Sequence, residues 1–181
     1  REIITKKYDG GKKLKYIFFW GHRPSTDGSV TKSCFSQWFN CKFTIDGIQY
    51  TTAEQYMMSQ KALLFGDTTI YNEIMNASHP DKFKALGRKI KRFKEEIWDN
   101  NKTDIVIRGN LAKFSQNKDL KDFLLSSKKS ILVEASPYDK IWGIGMSADN
   151  ENIENPHKWR GKNLLGFCLM EVRDKLMEEN L

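Results

Sequence analysis

Residues 51–65 read Thr-Thr-Ala-Glu-Gln-Tyr-Met-Met-Ser-Gln-Lys-Ala-Leu-Leu-Phe, and this stretch decides most about the fold. Its first four residues form a capping-box pattern, in which threonine and glutamate side chains bond to the free N–H groups of a helix start. The pattern predicts a helix that begins here and runs to about Phe65. Because a helix has about 3.6 residues per turn, Glu54, Met58, Lys61 and Phe65 share one face of it.

This shared face has two interpretations. A carboxylate and an ammonium group beside Met58 and Phe65 are typical of the wall of a pocket. Alternatively, Glu54 only completes the capping box begun by Thr51, and Lys61 extends its long side chain into solvent. The spacing alone leaves both interpretations open.

The residues around this helix predict a few short strands. Residues 41–45 and 48–51 flank Asp46-Gly47, a two-residue link that tolerates positive φ and is a strong signal for a β-hairpin. Residues 15–20 are aromatic and β-branched, which predicts a buried strand. A further short strand is expected at 130–135.

Helical patterns dominate the rest of the chain. Helices are expected at 67–77, from 78 to about 93, at 103–116, around 120–124 and from Asn163 onward. The second of these is predicted from the helical spacing of Phe83, Leu86, Ile90 and Phe93. The sequence therefore predicts a mainly α, α+β fold: a single compact helical domain with a short N-terminal β-hairpin and minor strands. We expect an N-terminal extension at 1–15 and the domain at 16–181.

Composition narrows the class of protein. The chain has 30 Lys plus Arg against 23 Asp plus Glu, a net charge of +7. Such a surface attracts phosphates, nucleic acid or anionic lipid without choosing among them. Three cysteines without a CxxC pair and three scattered histidines predict a reducing compartment and no metal site. No apolar run approaches the roughly 20 residues of a membrane span. We expect a cytoplasmic protein without metal or other cofactor, and we infer no membrane or protein partner.

Residues 134–145 form the second candidate site. The predicted strand delivers Asp139 into a loop beside Trp142 and Gly143. An aspartate in such a loop can activate water, a tryptophan can stack on a base, and a glycine lets backbone approach a ligand closely. Alternatively, Asp139 forms an Asx-turn and Trp142 belongs to the core.

Residues 159–166 form the third candidate site. A glycine-containing turn with Lys162 leads into the last helix at Asn163, and free N–H groups at a helix start bind anions. Alternatively, Asn163 is simply an N-cap. A basic stretch, 82–94, is interpreted as a solvated helix face rather than a nucleic-acid track, and within it Arg88 is the residue most typical of a functional role.

Several motifs, taken together and in order, resemble the NADAR (YbiA-like) family over about 16–176. The matching motifs are Phe18-Phe19-Trp20-Gly21-His22, Ala53-Glu54-Gln55-Tyr56-Met57, Gln60-Lys61-Ala62, Leu86-Gly87-Arg88, Ala112-Lys113-Phe114, Glu134-Ala135-Ser136-Pro137-Tyr138-Asp139, Trp142-Gly143-Ile144-Gly145, Trp159-Arg160-Gly161-Lys162-Asn163-Leu164-Leu165-Gly166 and Leu169-Met170-Glu171-Val172-Arg173. One departure is 35–39, where some members have Ser-Asn-Phe, and this puts pocket-wall contacts there in doubt.

The resemblance implies a compact, mainly helical fold and metal-free N-glycosidase activity. Two substrate groups are implied: phosphorylated ribosylamino-pyrimidine intermediates of riboflavin synthesis, and ADP-ribose attached to guanine, including guanine in DNA or RNA. The positions carried over from the family motifs are Glu54, Lys61, Arg88, Asp139, Trp142 and Asn163.

These positions suggest two mechanisms. In one, Glu54 and Asp139 divide charge stabilisation and water activation between them, by analogy with O-glycosidases. In the other, Lys61 has a lowered pKa and forms a Schiff base with an opened ribose.

The remaining candidates are assigned to substrate binding. Trp20 and Trp142 are expected to stack on the base, and Arg88, Lys162 and Asn163 to hold phosphate. His22, Gly143 and Trp159 complete the predicted substrate-binding set.

Two rival functions come from other classes. One is a non-catalytic module that binds ADP-ribose or ADP-ribosylated nucleic acid through the same tryptophans and basic residues. The other is a structural nucleic-acid-binding protein that uses the basic 82–94 face, for which binding to plain DNA or RNA would depend strongly on salt.

Overall fold

The computed structural model describes residues 1–178; the last residues of the predicted domain, 179–181, lie outside that range. The helices are α1 (Glu2–Asp9), α2 (Ala53–Leu64), α3 (Thr68–Asn76), α4 (Pro80–Gly87), α5 (Glu95–Ser115), α6 (Lys118–Ser126) and α7 (Leu164–Glu178). The strands are β1 (Tyr16–Phe19), β2 (Phe43–Ile45), β3 (Ile48–Tyr50) and β4 (Ile131–Glu134), and short 3₁₀ turns lie at Lys32–Phe35 and Pro156–Lys158. The predicted mainly helical α+β fold is confirmed.

The chain divides into two compact units. Unit 1 combines Arg1–Ser36 with the segment that begins at Asp122, and unit 2 is the continuous segment Gln37–Lys121. The predicted boundary between an extension at 1–15 and a domain at 16–181 stays a prediction. Residues 2–9 of that extension form α1, a helix that the sequence patterns did not indicate.

Unit 1 is built on a parallel pair of strands. Residues of β1 pair in register with those of β4, from Tyr16 opposite Ile131 to Phe19 opposite Glu134. Helix α7 packs closely on β4, since a Cβ atom added to Gly166 would lie 2.1 Å from the carbonyl oxygen of Leu132. Glycine at this position therefore permits the close approach of helix and strand.

Strand β1 is less buried than its sequence indicated. Of its residues only Phe19 is buried, and the following Trp20 exposes 57% of its surface. A strand that has one neighbour and ends at the surface leaves its aromatic side chains partly exposed, which a hydrophobic pattern cannot reveal.

Unit 2 is built around the hairpin and α2. Strands β2 and β3 pair antiparallel through Asp46 and Gly47, whose φ values are 52° and 78°. Both central residues thus have positive φ, as the Asp-Gly signal predicted. Helix α2 packs against α3, α4 and α5, and Gly109 of α5 lies against the ring of Tyr56, where an added Cβ would be 2.5 Å from a ring carbon.

Two predicted helix boundaries in unit 2 are wrong. The helix expected from 78 to about 93 ends at Gly87, and Arg92 has a φ of 58°, which a helix does not accommodate. The helix expected to begin at 103 begins at Glu95. Its first turn carries Glu95 and Glu96, which favour a helix N-terminus through the helix dipole.

No helix among residues 1–178 is long and apolar enough to cross a membrane. Within the same range, no three or more His, Cys, Asp or Glu side chains are grouped so that they could hold a metal ion.

Candidate active site

The start of α2 is capped one residue later than predicted. The Oγ1 atom of Thr52 accepts a hydrogen bond from the backbone N–H of Gln55 at 3.0 Å. In return, Oε1 of Gln55 accepts from the backbone N–H of Thr51 at 2.9 Å. The reciprocal capping role assigned to Glu54 is therefore performed by Gln55.

Glu54 is nevertheless firmly placed. The residue is 4% exposed, and its backbone N–H, one of the unpaired donors of a helix start, donates to the carbonyl oxygen of Gln37 at 2.9 Å. A carboxylate held at this depth keeps few contacts with water, which suits a group that works on a substrate.

The face that carries Glu54 lies against the end of α4. Met58 packs on Gly87, where an added Cβ would lie 2.1 Å from the methionine sulfur. The side-chain nitrogen of Lys61 donates to the carbonyl oxygen of Gly87 at 3.1 Å. The same nitrogen lies 4.5 Å from the centre of the Phe93 ring and 5.4 Å from that of Trp98. Lys61 is therefore half-buried among apolar groups, and its nitrogen does not extend freely into solvent.

This environment changes the chemistry of Lys61. Burial lowers the pKa of its ammonium group below the ordinary value of 10.5. The positive charge of Arg88 lowers that pKa further, whereas the negative charge of Glu54 raises it. The structure thus brings together three predicted residues, Glu54, Lys61 and the exposed Arg88, in one electrostatically coupled group.

Gln37 and Asn110 were missed by sequence reasoning. The side-chain Nδ2 atom of Asn110 donates to Oε1 of Gln37 at 2.8 Å and to the carbonyl oxygen of Val106 at 2.9 Å. Asn110 is fully buried and Gln37 is 7% exposed. An asparagine on the buried face of a long helix, four residues after Val106, was the available signal, because buried polar groups require partners.

In unit 1, the loop after β4 is held by its own side chains. Oγ of Ser136 accepts from the backbone N–H of Asp139 at 3.1 Å. One carboxylate oxygen of Asp139 accepts from the N–H groups of Ile141 at 2.8 Å and Trp142 at 2.7 Å. The Asx-turn interpretation of Asp139 is therefore correct for this oxygen. Trp142 is half-buried and so is not a fully buried core residue.

The glycines of this loop allow its tight path. A Cβ atom on Gly143 would lie 2.9 Å from the carbonyl oxygens of Asp139 and Glu134. A Cβ atom on Gly161 would lie 2.3 Å from the carbonyl oxygen of Gly143. Here Gly143 serves the packing of two loop segments, and its predicted contact with substrate stays a prediction.

Asn163 is part of the scaffold. It is fully buried with a φ of 55°. Its Oδ1 accepts from the N–H of Glu134, and its Nδ2 donates to the carbonyl oxygen of Leu132, both at 3.0 Å. These bonds fix the start of α7 to β4, and they replace the side-chain N-cap that was the simpler sequence interpretation.

The predicted anion site at the start of α7 is largely occupied by the protein itself. The N–H groups of Leu164 and Leu165 donate to the carbonyl oxygens of Ile141 at 3.2 Å and Trp142 at 3.1 Å. They are therefore not free for a phosphate, contrary to the reasoning from sequence. Lys162 is exposed and remains a candidate for a phosphate contact through its side chain.

The other predicted binding residues lie in different environments. Trp159 is 3% exposed, and its indole nitrogen donates to the carbonyl oxygen of Ile153 at 2.6 Å, so this side chain belongs to the core. Trp20 is exposed and His22 is half-buried. The predicted substrate contacts of these residues stay predictions.

Comparisons with known proteins place the chain in a family. A family model described as the NADAR domain matches residues 18–177. An N-glycosidase of Acanthamoeba polyphaga mimivirus is 48% identical over 166 residues, which cover 89% of this chain and 96% of the viral protein. The N-glycosidase YbiA of Escherichia coli (strain K12) is 30% identical over 145 residues, 80% of this chain and 82% of YbiA.

A solved structure supports the same assignment. The NMR structure of E. coli YbiA matches with a TM-score of 0.73 and 28% identity, covering 93% of this chain and 89% of YbiA. The fold and the relatives define an enzyme of the N-glycosidase class. The chain belongs to the NADAR domain family.

Proposed function

We propose that this enzyme hydrolyses the N-glycosidic bond of a ribosylated nucleobase compound that carries phosphate, and that Glu54 and Lys61 act at the reacting bond. The observation that carries the proposal is the buried face of α2, where a lysine of lowered pKa is coupled to Glu54 and Arg88. The designation of the relatives as N-glycosidases supports the type of bond. The net charge of +7 supports a phosphate-bearing substrate.

Lys61 is suited to attack the sugar. A lysine is a nucleophile only as the neutral amine, and burial of the Lys61 side chain favours that form. Opening of the ribose ring breaks the C1′–O4′ bond, places a proton on O4′ and leaves C1′ doubly bonded to the nitrogen of the base. The Lys61 amine then adds to C1′, and the π electrons of that double bond return to the nitrogen. The bond from C1′ to the nitrogen of the base then breaks, and that nitrogen leaves with a proton. Water hydrolyses the resulting imine, which returns the Lys61 amine and releases the sugar as the aldehyde.

Glu54 is suited to move the protons of this sequence. Its carboxylate can take the proton that Lys61 loses on attack and give it to the departing nitrogen. A positioned acid or base of this kind contributes roughly 10²–10⁴ in rate. The coupling of the Glu54 charge to the pKa of Lys61 is consistent with such an exchange.

The alternative mechanism uses Glu54 and Asp139 as a pair of carboxylates. One oxygen of Asp139 already accepts two backbone hydrogen bonds, so that only its other oxygen is available to a substrate or a water molecule. Asp139 then orients water or a ribose hydroxyl through its other oxygen.

Binding is assigned to the exposed and half-buried residues of the predicted set. Arg88 is exposed and coupled to Lys61, and a guanidinium group forms paired hydrogen bonds with phosphate. Trp142 offers a ring face to the base that is released, Trp20 offers a further ring face to the substrate, and Lys162 offers a second cation. His22 completes the set as a hydrogen-bonding side chain.

Two substrate groups meet these requirements: ribosylamino-pyrimidine phosphates of riboflavin synthesis, and ADP-ribose linked to guanine, free or in DNA or RNA. The test incubates purified protein with one representative of each in the presence of EDTA. Mass spectrometry follows the release of the base or of ADP-ribose. We expect release from one substrate group, at a rate that Glu54→Gln lowers at least 100-fold.

Glu73→Gln is the matched control, because it makes the same chemical change at an exposed position of α3. It should leave the rate unchanged. Tight binding of both compounds without release of either would refute the proposal and favour a non-catalytic module.

A further inference from the structure

Two aromatic side chains lie together at the surface of unit 1. Trp20 exposes 57% of its surface and Tyr138 exposes 84%. Their ring centroids are 6.0 Å apart and the ring planes are inclined by 57°. Large aromatic groups are usually buried, and an exposed cluster of them often marks an interaction site. Tyr138 has no role in the site described above.

The parallel sheet explains why these rings meet. Trp20 directly follows β1, and Tyr138 comes four residues after the end of β4. Because Phe19 and Glu134 are paired in register, both strands end at the same edge of the sheet. The two chain segments therefore leave this edge side by side.

Tyr138 stands on a rigid loop. Oγ of Ser136 accepts hydrogen bonds from the backbone N–H of Tyr138 at 3.3 Å and from that of Asp139 at 3.1 Å. Asp139 in turn holds the N–H groups of Ile141 and Trp142. The exposed ring is consequently presented by an ordered backbone, and little ordering is required when a ligand binds.

Three cations are grouped beside this loop. Lys140, Arg160 and Lys162 are all exposed. The N–H of Lys162 donates to the carbonyl oxygen of Lys140 at 2.9 Å. A Cβ atom on Gly145 would lie 3.1 Å from Cγ of Lys140 and 3.2 Å from Cβ of Arg160. The exposed side chains of these three cations therefore start from neighbouring backbone positions, next to the loop that carries Tyr138.

We propose that Trp20 and Tyr138 bind a second nucleobase of the substrate, distinct from the base that is released, and that Lys140, Arg160 and Lys162 bind the phosphates attached to it. Aromatic side chains stack on the face of any base, and adjacent cations follow the phosphate backbone. This inference rests on the proposed function. The second base has two possible sources, the adenine of an ADP-ribosyl group or a neighbouring base of a single-stranded nucleic acid.

The experiment measures dissociation constants by isothermal titration calorimetry for three ligands. These are ribose 5-phosphate, which has no base, ADP-ribose, and a short single-stranded oligonucleotide. Tyr138→Ala should weaken binding of at least one base-containing ligand by roughly 5- to 150-fold, the range expected for one stacking contact. Binding of ribose 5-phosphate should change less than twofold. Tyr138→Phe keeps the ring and should restore the affinity.

Ile141→Ala is the control variant, because Ile141 is a 46%-exposed apolar residue of the same loop without a ring. It should leave all three affinities unchanged. A loss for ADP-ribose alone identifies the base as adenine, and a loss for the oligonucleotide alone identifies it as a neighbouring base. Equal binding of all three ligands to the wild-type protein, or full affinity of Tyr138→Ala for both larger ligands, would overturn the inference.

The failure of this inference can be separated from that of the proposed function. Binding of these ligands requires no bond cleavage, whereas the proposed function is tested by release of the base. Release without any effect of Tyr138→Ala on binding refutes only the second-nucleobase site.

Discussion

The side-chain nitrogen of Lys61 donates a hydrogen bond to the carbonyl oxygen of Gly87, the last residue of α4, at 3.1 Å. This bond holds the lysine against the helix end next to Arg88, and Met58 packs on the same glycine. The lysine keeps this polar contact beside the rings of Phe93 and Trp98, and burial removes part of its surrounding water. Its position is fixed, and its charged form is less favoured than in solution.

Reductive trapping tests the nucleophilic role of Lys61. We expect sodium borohydride, added during turnover, to fix the ribosyl group covalently on wild-type protein, because it reduces an imine to a stable amine. Intact-mass spectrometry would detect the adduct and peptide mapping would place it on Lys61. Lys61→Met should form no adduct and should lose activity, whereas Lys82→Met, at an exposed position of α4, should behave as wild type. Normal turnover of Lys61→Met would exclude the lysine mechanism.

The pH dependence follows from the lowered pKa of Lys61. The neutral amine accumulates as pH rises through the pKa of the folded state, which lies below 10.5. We therefore expect kcat to increase with pH and to level off below pH 10.5. Initial rates between pH 6 and 10 would show this rise, and a kcat that is flat over the whole range would argue against attack by the amine.

The same shift has a consequence for stability. At a pH between the lowered pKa of Lys61 in the folded protein and its ordinary pKa in the unfolded chain, the unfolded chain binds a proton at Lys61 that the folded protein does not. The free energy of unfolding therefore increases with pH in that window. Lys61→Met should lack this increase. Urea unfolding at several pH values would measure it.

Substitution of Gln37 and Asn110 tests whether activity requires the backbone of Glu54 to be held in place. Within residues 1–178, Nε2 of Gln37 and Oδ1 of Asn110 are buried without a hydrogen-bond partner. The double variant Gln37→Met/Asn110→Leu removes all four amide atoms, so we expect a free energy of unfolding within about 1 kcal/mol of wild type. The same variant removes the side-chain hydrogen bond between Asn110 and Gln37. This bond holds Gln37, whose backbone carbonyl oxygen accepts from the N–H of Glu54.

We expect kcat of this variant to fall roughly 10- to 100-fold, since small displacements of catalytic groups are costly. KM should change little, and the rise of kcat with pH should shift if the distance between Glu54 and Lys61 changes. Urea unfolding and initial rates would be measured on the same preparation. Wild-type kcat in the stable double variant would show that Gln37 does not position Glu54.

Asn163 and Lys162 are adjacent in the sequence, but we expect their substitution to have opposite effects on stability and on KM. Asn163→Ala leaves the N–H of Glu134 and the carbonyl oxygen of Leu132 without partners, at a cost of about 2–4 kcal/mol. We expect its Tm to fall by roughly 5–15 °C. Lys162→Ala changes an exposed side chain and should leave Tm unchanged while raising KM. Thermal unfolding and initial rates would separate the two, and a raised KM with wild-type Tm in Asn163→Ala would assign that side chain to substrate.

Local patterns in the sequence predicted much of unit 2 correctly. The Asp46-Gly47 hairpin and α2 depend on positive φ and on helical periodicity, which neighbouring residues determine among themselves. The grouping of Glu54, Met58 and Lys61 on one buried face likewise follows from the geometry of a helix. Arg88 was predicted from the basic stretch 82–94 and from the family resemblance, but spacing within α2 did not connect it to this face.

Other features were decided only by tertiary structure. The sequence does not reveal that β1 pairs with β4, because the two strands are separated by the whole of unit 2. The partners of Asn163 on β4, and the bond between Gln37 and Asn110, exist only once distant segments pack together. The sequence by itself determined the helical fold and the chemical groups that are candidates for the active site, since both follow from local spacing and residue type. Burial lowers the pKa of Lys61, and long-range hydrogen bonds hold Glu54 and Asn163. Both depend on residues that are distant in the sequence and come together only in the folded protein.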